Sequence, residues 1–495
     1  MKKNKLFDYV AIISIIGLCI AFTAQRIPND TFYTLKIGEL ILENGIDMKD
    51  HFSWITNLPY TYPHWLYDVI MALVYRIKGF DSVWLFNVLC YSIIGLLTYF
   101  FSKKKTNNYL FSFILTIMTI AFGATFISPR AQILSFIIFI LEKYFIDKFL
   151  DDGKVKYGIF IIILSIILVN IHLATWIFFF VLFLPSIVEH FISLFLKKIR
   201  KSNKDFTIGR INFKTYKYLP KLLLIILACL FTGFLTPLGT TPYTYIFNQF
   251  GGDTLDLIIE YADITISNCF SFYQYIAVLA FVFLITKEKI DLDDLFLLLG
   301  LIFMSLIAMR SFAFLLFIGA FSLSNYLGKV TKNMKDSTIN KIEYIFNKKY
   351  ELIVILICFL TASIIFYVGG KMKYVSEKEY PINAVQSIKE NYDFEEMKIF
   401  NEYSIGAYLL YHDIPVFIDS RSDLYTKPFN KLKRDIFNDY IDVIHNLKYE
   451  EIFEEYGVTH VLFDKNEMLV KMLSKDENYE EIYSDNYFVL YEKKN

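Results

Sequence analysis

Eleven long apolar stretches, almost free of charge, constrain this chain more than any other feature. They run over 7–24, 82–101, 109–127, 131–148, 157–170, 173–196, 219–236, 271–286, 293–308, 311–328 and 352–368. A helix that crosses the hydrocarbon core needs about 20 mostly apolar residues. Such runs exclude a single soluble globular domain and general disorder. They predict a polytopic α-helical membrane protein of about eleven spans, of which 157–170 and 293–308 are short, so that the count can change by one or two. The basic start Met1-Lys2-Lys3-Asn4-Lys5 followed by an apolar run resembles a signal peptide. The run is too long for one, and no small-x-small cleavage site follows, so it reads as a retained first helix.

Lys and Arg in the connecting segments set the orientation. With residue 1 placed in the cytoplasm, the inner segments carry 25 Lys and Arg and the outer ones 7. That bias predicts an inner N-terminus and, with an odd span count, an outer C-terminus. Segment 197–221 alone holds nine Lys and Arg, as a topology signal in contact with anionic lipid would. The whole chain balances 50 Lys and Arg against 50 Asp and Glu, so no net basic character points to nucleic acid. Cys19, Cys90, Cys229, Cys269 and Cys358 form no C-x-x-C pair and read as small buried hydrophobes.

From Gly369 to Asn495 the pattern changes to mixed charge without a span. Helices are predicted near 381–392, across 427–456 and over 466–475, and strands at 396–401, 415–419, 458–463, 480–484 and 486–491. The expected organisation is therefore a membrane domain, 1–368, and an extracytoplasmic α/β domain, 369–495.

The loop 25–81 is long, and long loops in compact proteins often carry function. Asn29-Asp30 opens an amphipathic stretch, 31–44, and Asp30 is placed to cap it. Asp30 also lies just beyond the first span, where partial desolvation would raise a carboxylate toward the range of a usable general base. Asp47, Asp50, His51 and Trp54 follow, and after Tyr60 and His64 the stretch 63–80 reads as an interfacial amphipathic helix.

This order resembles the integral-membrane glycosyltransferases of the GT-C fold: an inner first end, an early acid, a short helix ending in Asn-Gly, a second acid before an aromatic, and a further interfacial helix. Oligosaccharyltransferase catalytic subunits, protein mannosyltransferases and aminoarabinose transferases belong there. The resemblance covers about 1–330. It implies a catalytic acid at Asp30 and a second loop acid, a metal or acceptor contact, at Asp50 or alternatively Asp47. The tail has no Trp-Trp-Asp acceptor motif, and Thr31 follows Asp30 where mannosyltransferases carry an Asp-Glu pair, so neither of those two activities is implied.

Short outer turns present Arg130, His172 (beside Asn170) and Arg310. Arginine there either anchors at the interface or grips a phosphate through its planar fork. His172 is either a metal ligand or, as a lone histidine more often is, a hydrogen-bonded structural residue. The loop 237–270 has no Lys or Arg, and its Glu260-Tyr261 resembles a Glu-aromatic element that meets acceptor or metal in oligosaccharyltransferases. A Mg²⁺ or Mn²⁺ ion held by Asp47 or Asp50 with Glu260 is compatible with these oxygen donors. In the tail, Asp419, Arg421 and Asp423 form a compact polar cluster, either a salt-bridged turn or a sugar or acceptor contact. No Walker loop, dinucleotide fingerprint or H-E-x-x-H is present.

The expectation is thus an inverting membrane glycosyltransferase that uses a polyprenyl-phosphate sugar on the outer face. Asp30 and Asp50 are its catalytic candidates, and Arg130, His172, Arg310, Glu260 and His64 its substrate contacts. The acceptor is a glycan, lipid or protein. Two rival readings are a membrane-anchored binding protein acting through its tail, which predicts that 375–495 folds and binds alone, and a transporter.

Overall fold

The computed structural model describes residues 5–201, 204–250, 262–286, 289–333, 374–432 and 434–494, with the short pieces 358–359, 361–363 and 366. The chain divides into two compact units. A helical unit comprises Met1–Ala24, Trp84–Thr236 and Ile258–Lys371, and a mixed α/β unit comprises Gln25–Val83, Pro237–Leu257 and Met372–Asn495. This grouping differs from the expected boundary at 368, because the loop 25–81 and part of the loop 237–270 fold with the tail. The physical reason is contact: both segments supply polar partners that the tail buries, as shown below.

In the helical unit, ten of the expected spans fall on helices, from Lys5–Phe22 to Phe312–Asn333. The eleventh, 352–368, lies largely outside the described residues. Among the described residues four helical stretches, Phe80–Thr106, Tyr109–Phe126, Leu173–Arg200 and Met309–Val330, are long and apolar enough to cross a membrane. The protein is an integral membrane protein by these helices. The expected span 173–196 is two helices, Leu173–Val181 and Leu184–Arg200, with Pro185 in the first turn of the second. Proline there lacks only an N–H that a helix start leaves unpaired anyway.

The mixed unit is built on a four-stranded sheet in the order 399–401, 460–464, 488–493, 479–484. The first pair is parallel, and Ile399 lies beside His460; the other pairs are antiparallel. Phe400 fills the centre, with ring centroids 4.8 Å from Phe417 and Phe453 and 5.7 Å from Phe463. The expected strand 415–419 is not one. Val416 forms a single parallel bridge, and its partner is Ser53 of the first loop. Two helices pack against Asn29–Asn44: Trp65–Lys78, the expected amphipathic helix, and Tyr403–Tyr411, which was not foreseen. Close approach requires glycine where Asn29–Asn44 meets Trp65–Lys78 and where Tyr403–Tyr411 meets the segment around Ile418. A Cβ on Gly38 would lie 2.1 Å from the Asp68 carbonyl oxygen, and one on Gly406 2.1 Å from that of Ile418.

Candidate active site

Asp30 sits in the first turn of Asn29–Asn44, partly buried, and Pro28 rather than Asp30 holds the cap position. An acid in the first turn still interacts favourably with the helix dipole. The tail holds this helix end: Asn29 Nδ2 donates to the Tyr403 carbonyl at 3.4 Å, and the Tyr403 N–H donates to the Tyr440 hydroxyl at 3.0 Å. Burial, then the carboxylates of Asp30 and Asp419, push the Tyr403 phenol well above its usual value. Ser422 is hydrogen-bonded to that phenol, and Asp423 adds to the same field. Tyr245, on the helix Thr241–Phe250, donates its hydroxyl to Asp423 and packs its ring 5.1 Å from Phe429. Three segments remote in sequence thus converge on one edge of the mixed unit.

Asp50 faces the tail. Arg421 Nη1 donates to Asp50 Oδ1 at 2.5 Å, while Nη2 and Nε donate to Asp419 at 2.6 and 2.9 Å. The Arg421, Asp50 and Asp419 side chains are only 2%, 1% and 0% exposed. Tyr425 donates to Asp419 at 2.5 Å, and the guanidinium lies 5.0 Å from the Tyr60 ring centre and 5.3 Å from that of Phe52. Asp50 Oδ2 accepts the Ser53 N–H at 2.8 Å, so both oxygens of Asp50 are engaged. Asp47 accepts from the Lys49 N–H (3.0 Å) and the Tyr62 hydroxyl (3.1 Å) and meets His51 Nε2 at 2.8 Å. Partial burial alone would raise the Asp47 carboxyl, but these partners outweigh it and hold the group below its usual value. Glu260 lies outside the described residues. Among the described residues no three His, Cys, Asp or Glu side chains gather as a cation would need. The two oxygens of Asp50 serve a guanidinium and an N–H.

His64 precedes Trp65–Lys78, and burial pushes its imidazole down to about 4. Asp68, one turn on, was missed. It is 0% exposed, and burial pushes its carboxyl well above the ordinary range. A signal was present: Asp68 shares a helix face with Tyr67, Met71 and Ala72, all buried.

Arg130, His172 and Arg310 belong to the helical unit and lie at one end of its bundle. Phe126 meets Phe312 (5.8 Å), and Phe136 and Phe178 meet Phe314 (5.5 and 6.4 Å), which gathers their three turns. His172 breaks the chain between Val155–Ile171 and Leu173–Val181, and its Nδ1 is 2.8 Å from Ser135 Oγ. Asn170 Nδ2 donates to the Leu235 carbonyl at 3.0 Å.

No family model and no curated protein sequence matches the chain. Solved structures do. The Archaeoglobus fulgidus oligosaccharyltransferase tethered to an acceptor peptide aligns with a TM-score of 0.58 at 11% identity, over 93% of this chain and 69% of that one. The same archaeal enzyme, AglB, with an inhibitory peptide and dolichol-phosphate, gives 0.54 at 11% identity over 93% and 70%. This chain has the GT-C fold. ArnT from Cupriavidus metallidurans, bound to undecaprenyl phosphate, aligns at 0.50 and 9% identity over 98% of this chain and 97% of that one. A GT-C chain of this size thus matches ArnT along almost its full length.

Proposed function

We propose that the protein is a membrane glycosyltransferase that moves a sugar, with inversion, from a polyprenyl-phosphate carrier to an acceptor hydroxyl on the outer face. The observation that carries this reading is Asp30, partly buried on the first helix of the mixed unit and held there by Asn29 and Tyr403, in a GT-C chain. AglB is solved in complex with dolichol-phosphate and ArnT bound to undecaprenyl phosphate, which supports a lipid-phosphate donor. The N-terminus is cytoplasmic and the tail extracytoplasmic, as the Lys and Arg bias favours.

In this mechanism the acceptor oxygen attacks the anomeric carbon, Asp30 takes its proton, and the carrier phosphate departs. The role of stabilising the departing charge is assigned to Arg130 and Arg310, and His172, His64 and Glu260 are assigned as further substrate contacts. Preorganised charge of this kind contributes several kcal/mol.

Two variants test the assignment. Asp30→Asn should lower turnover about 10²- to 10⁴-fold, the usual contribution of a positioned base, with the protein still inserted and folded. Arg310→Ala should weaken saturable binding of undecaprenyl phosphate about tenfold, as loss of a charge-assisted bond does. Full turnover by Asp30→Asn would remove the base from this reading. Absence of carrier binding by the monodisperse wild-type protein would remove the donor.

A further inference from the structure

We infer that the tail turn 419–425 is a positioning device, in which Asp50 and Arg421 form a clamp that fixes the first outer loop, rather than Asp50 serving as a ligand for metal or acceptor. The inference rests on the reading of Asp30 as the base, because the clamped loop follows the helix that carries it.

The geometry is specific. Arg421 distributes its fork over two carboxylates from segments 369 residues apart, Asp50 and Asp419, and lies against the rings of Tyr60 and Phe52. The loop is then registered on the tail backbone. The Trp54 N–H donates to the Val416 carbonyl (3.2 Å), the Val416 N–H to the Phe52 carbonyl (3.1 Å), and Trp54 Nε1 to the Ile399 carbonyl (3.0 Å). The other side of the same turn carries Asp423, which accepts from Tyr245 of the helix Thr241–Phe250. One seven-residue turn therefore fastens two outer segments. A planar, permanently charged fork suits this task, and an ammonium cannot reproduce it. Asp50→Asn keeps Arg421 neutralised by Asp419, so it loosens the first loop without leaving a buried charge alone.

The test is segment-resolved hydrogen exchange on the full-length protein in detergent, comparing wild type with Asp50→Asn and Arg421→Lys. Losing one charge-assisted bond of this type corresponds to about a 10- to 100-fold loss of protection. That loss is expected in 50–54 and in 416–424 for both variants, with the helices of the helical unit unchanged. Unchanged exchange in 416–424 of Asp50→Asn overturns the clamp. A second measurement separates clamp from ligand: titration with Mn²⁺ alone. Affinity that is equal in wild type and Asp50→Asn, or absent from both, agrees with the clamp, whereas affinity lost only in Asp50→Asn overturns it. With an undecaprenyl-phosphate-linked sugar as probe, the clamp predicts that Asp50→Asn lowers kcat and leaves KM for the carrier unchanged, a split that general unfolding would not give. Failure of the wild type to bind undecaprenyl phosphate would count against the functional reading alone, since the exchange result stands without it.

Discussion

Each unit holds an ion cluster, buried in the mixed unit and half-buried in the helical one, and the two are assembled from opposite kinds of sequence proximity. In the helical unit Lys143 meets Asp147 one turn along the same helix at 2.6 Å, and Lys105 meets the other oxygen of Asp147 at 2.8 Å. In the mixed unit Arg421 meets Asp50 from the far end of the chain. The first cluster shares two cations over one carboxylate, and the second shares one cation over two. Losing a partner should therefore cost unequal amounts, because an uncompensated buried charge is the expensive outcome.

The largest effect is expected from Arg421→Met. It strands Asp50 and Asp419 together and should destabilise the mixed unit by about 3–5 kcal/mol, read as lost exchange protection across 399–401 and 460–464. Lys143→Met should cost less, about 1–2 kcal/mol, because Asp147 keeps Lys105. Equal losses in the two variants would erase the contrast between the clusters.

A pH series sharpens the same comparison. Burial depresses His64 and His412, in the mixed unit, to about 4. A histidine with a depressed folded pKa adds stability above its unfolded value, near 6.5, and that stability is lost as pH falls toward about 4. Each group contributes at most about 3 kcal/mol over this window, less where solvent reaches the ring. The mixed unit should loosen between pH 6.5 and 4, and His64→Gln with His412→Gln should flatten the response. A drop that persists in the double variant would assign it to other groups.

Much of the helical unit was legible in the sequence. Ten apolar runs became helices, since hydrophobicity over about 20 residues is a local property. The sheet strands at 458–463, 480–484 and 486–491 were legible for a similar reason, alternation and β-branched content. The stretch 415–419 misled because Val-Phe-Ile has a strand composition, yet it bonds to Phe52, Ser53 and Trp54 across 363 residues. The same distance hid the membership of the first loop. It also bears on the idea of a free-standing tail. A 375–495 fragment would lack Trp54, which donates to Ile399, and Asp50, which balances Arg421. The candidate site was legible as residue types, with Asp30 marked by its place after the first span. Tyr403 and Tyr245 carried no signal, because a tyrosine among 36 is not distinguished by spacing.

The sequence by itself determined that the chain crosses a membrane, which way its connecting segments are biased, and where an acid follows the first span. Those properties depend on composition within windows of one helix or one loop. Only the tertiary structure decided that the first loop, the segment 237–250 and the tail are one folded unit, and that Asp50 belongs to Arg421. That pairing depends on which distant segment desolvates a charge and supplies its partner, and burial of this kind is not written in any local window.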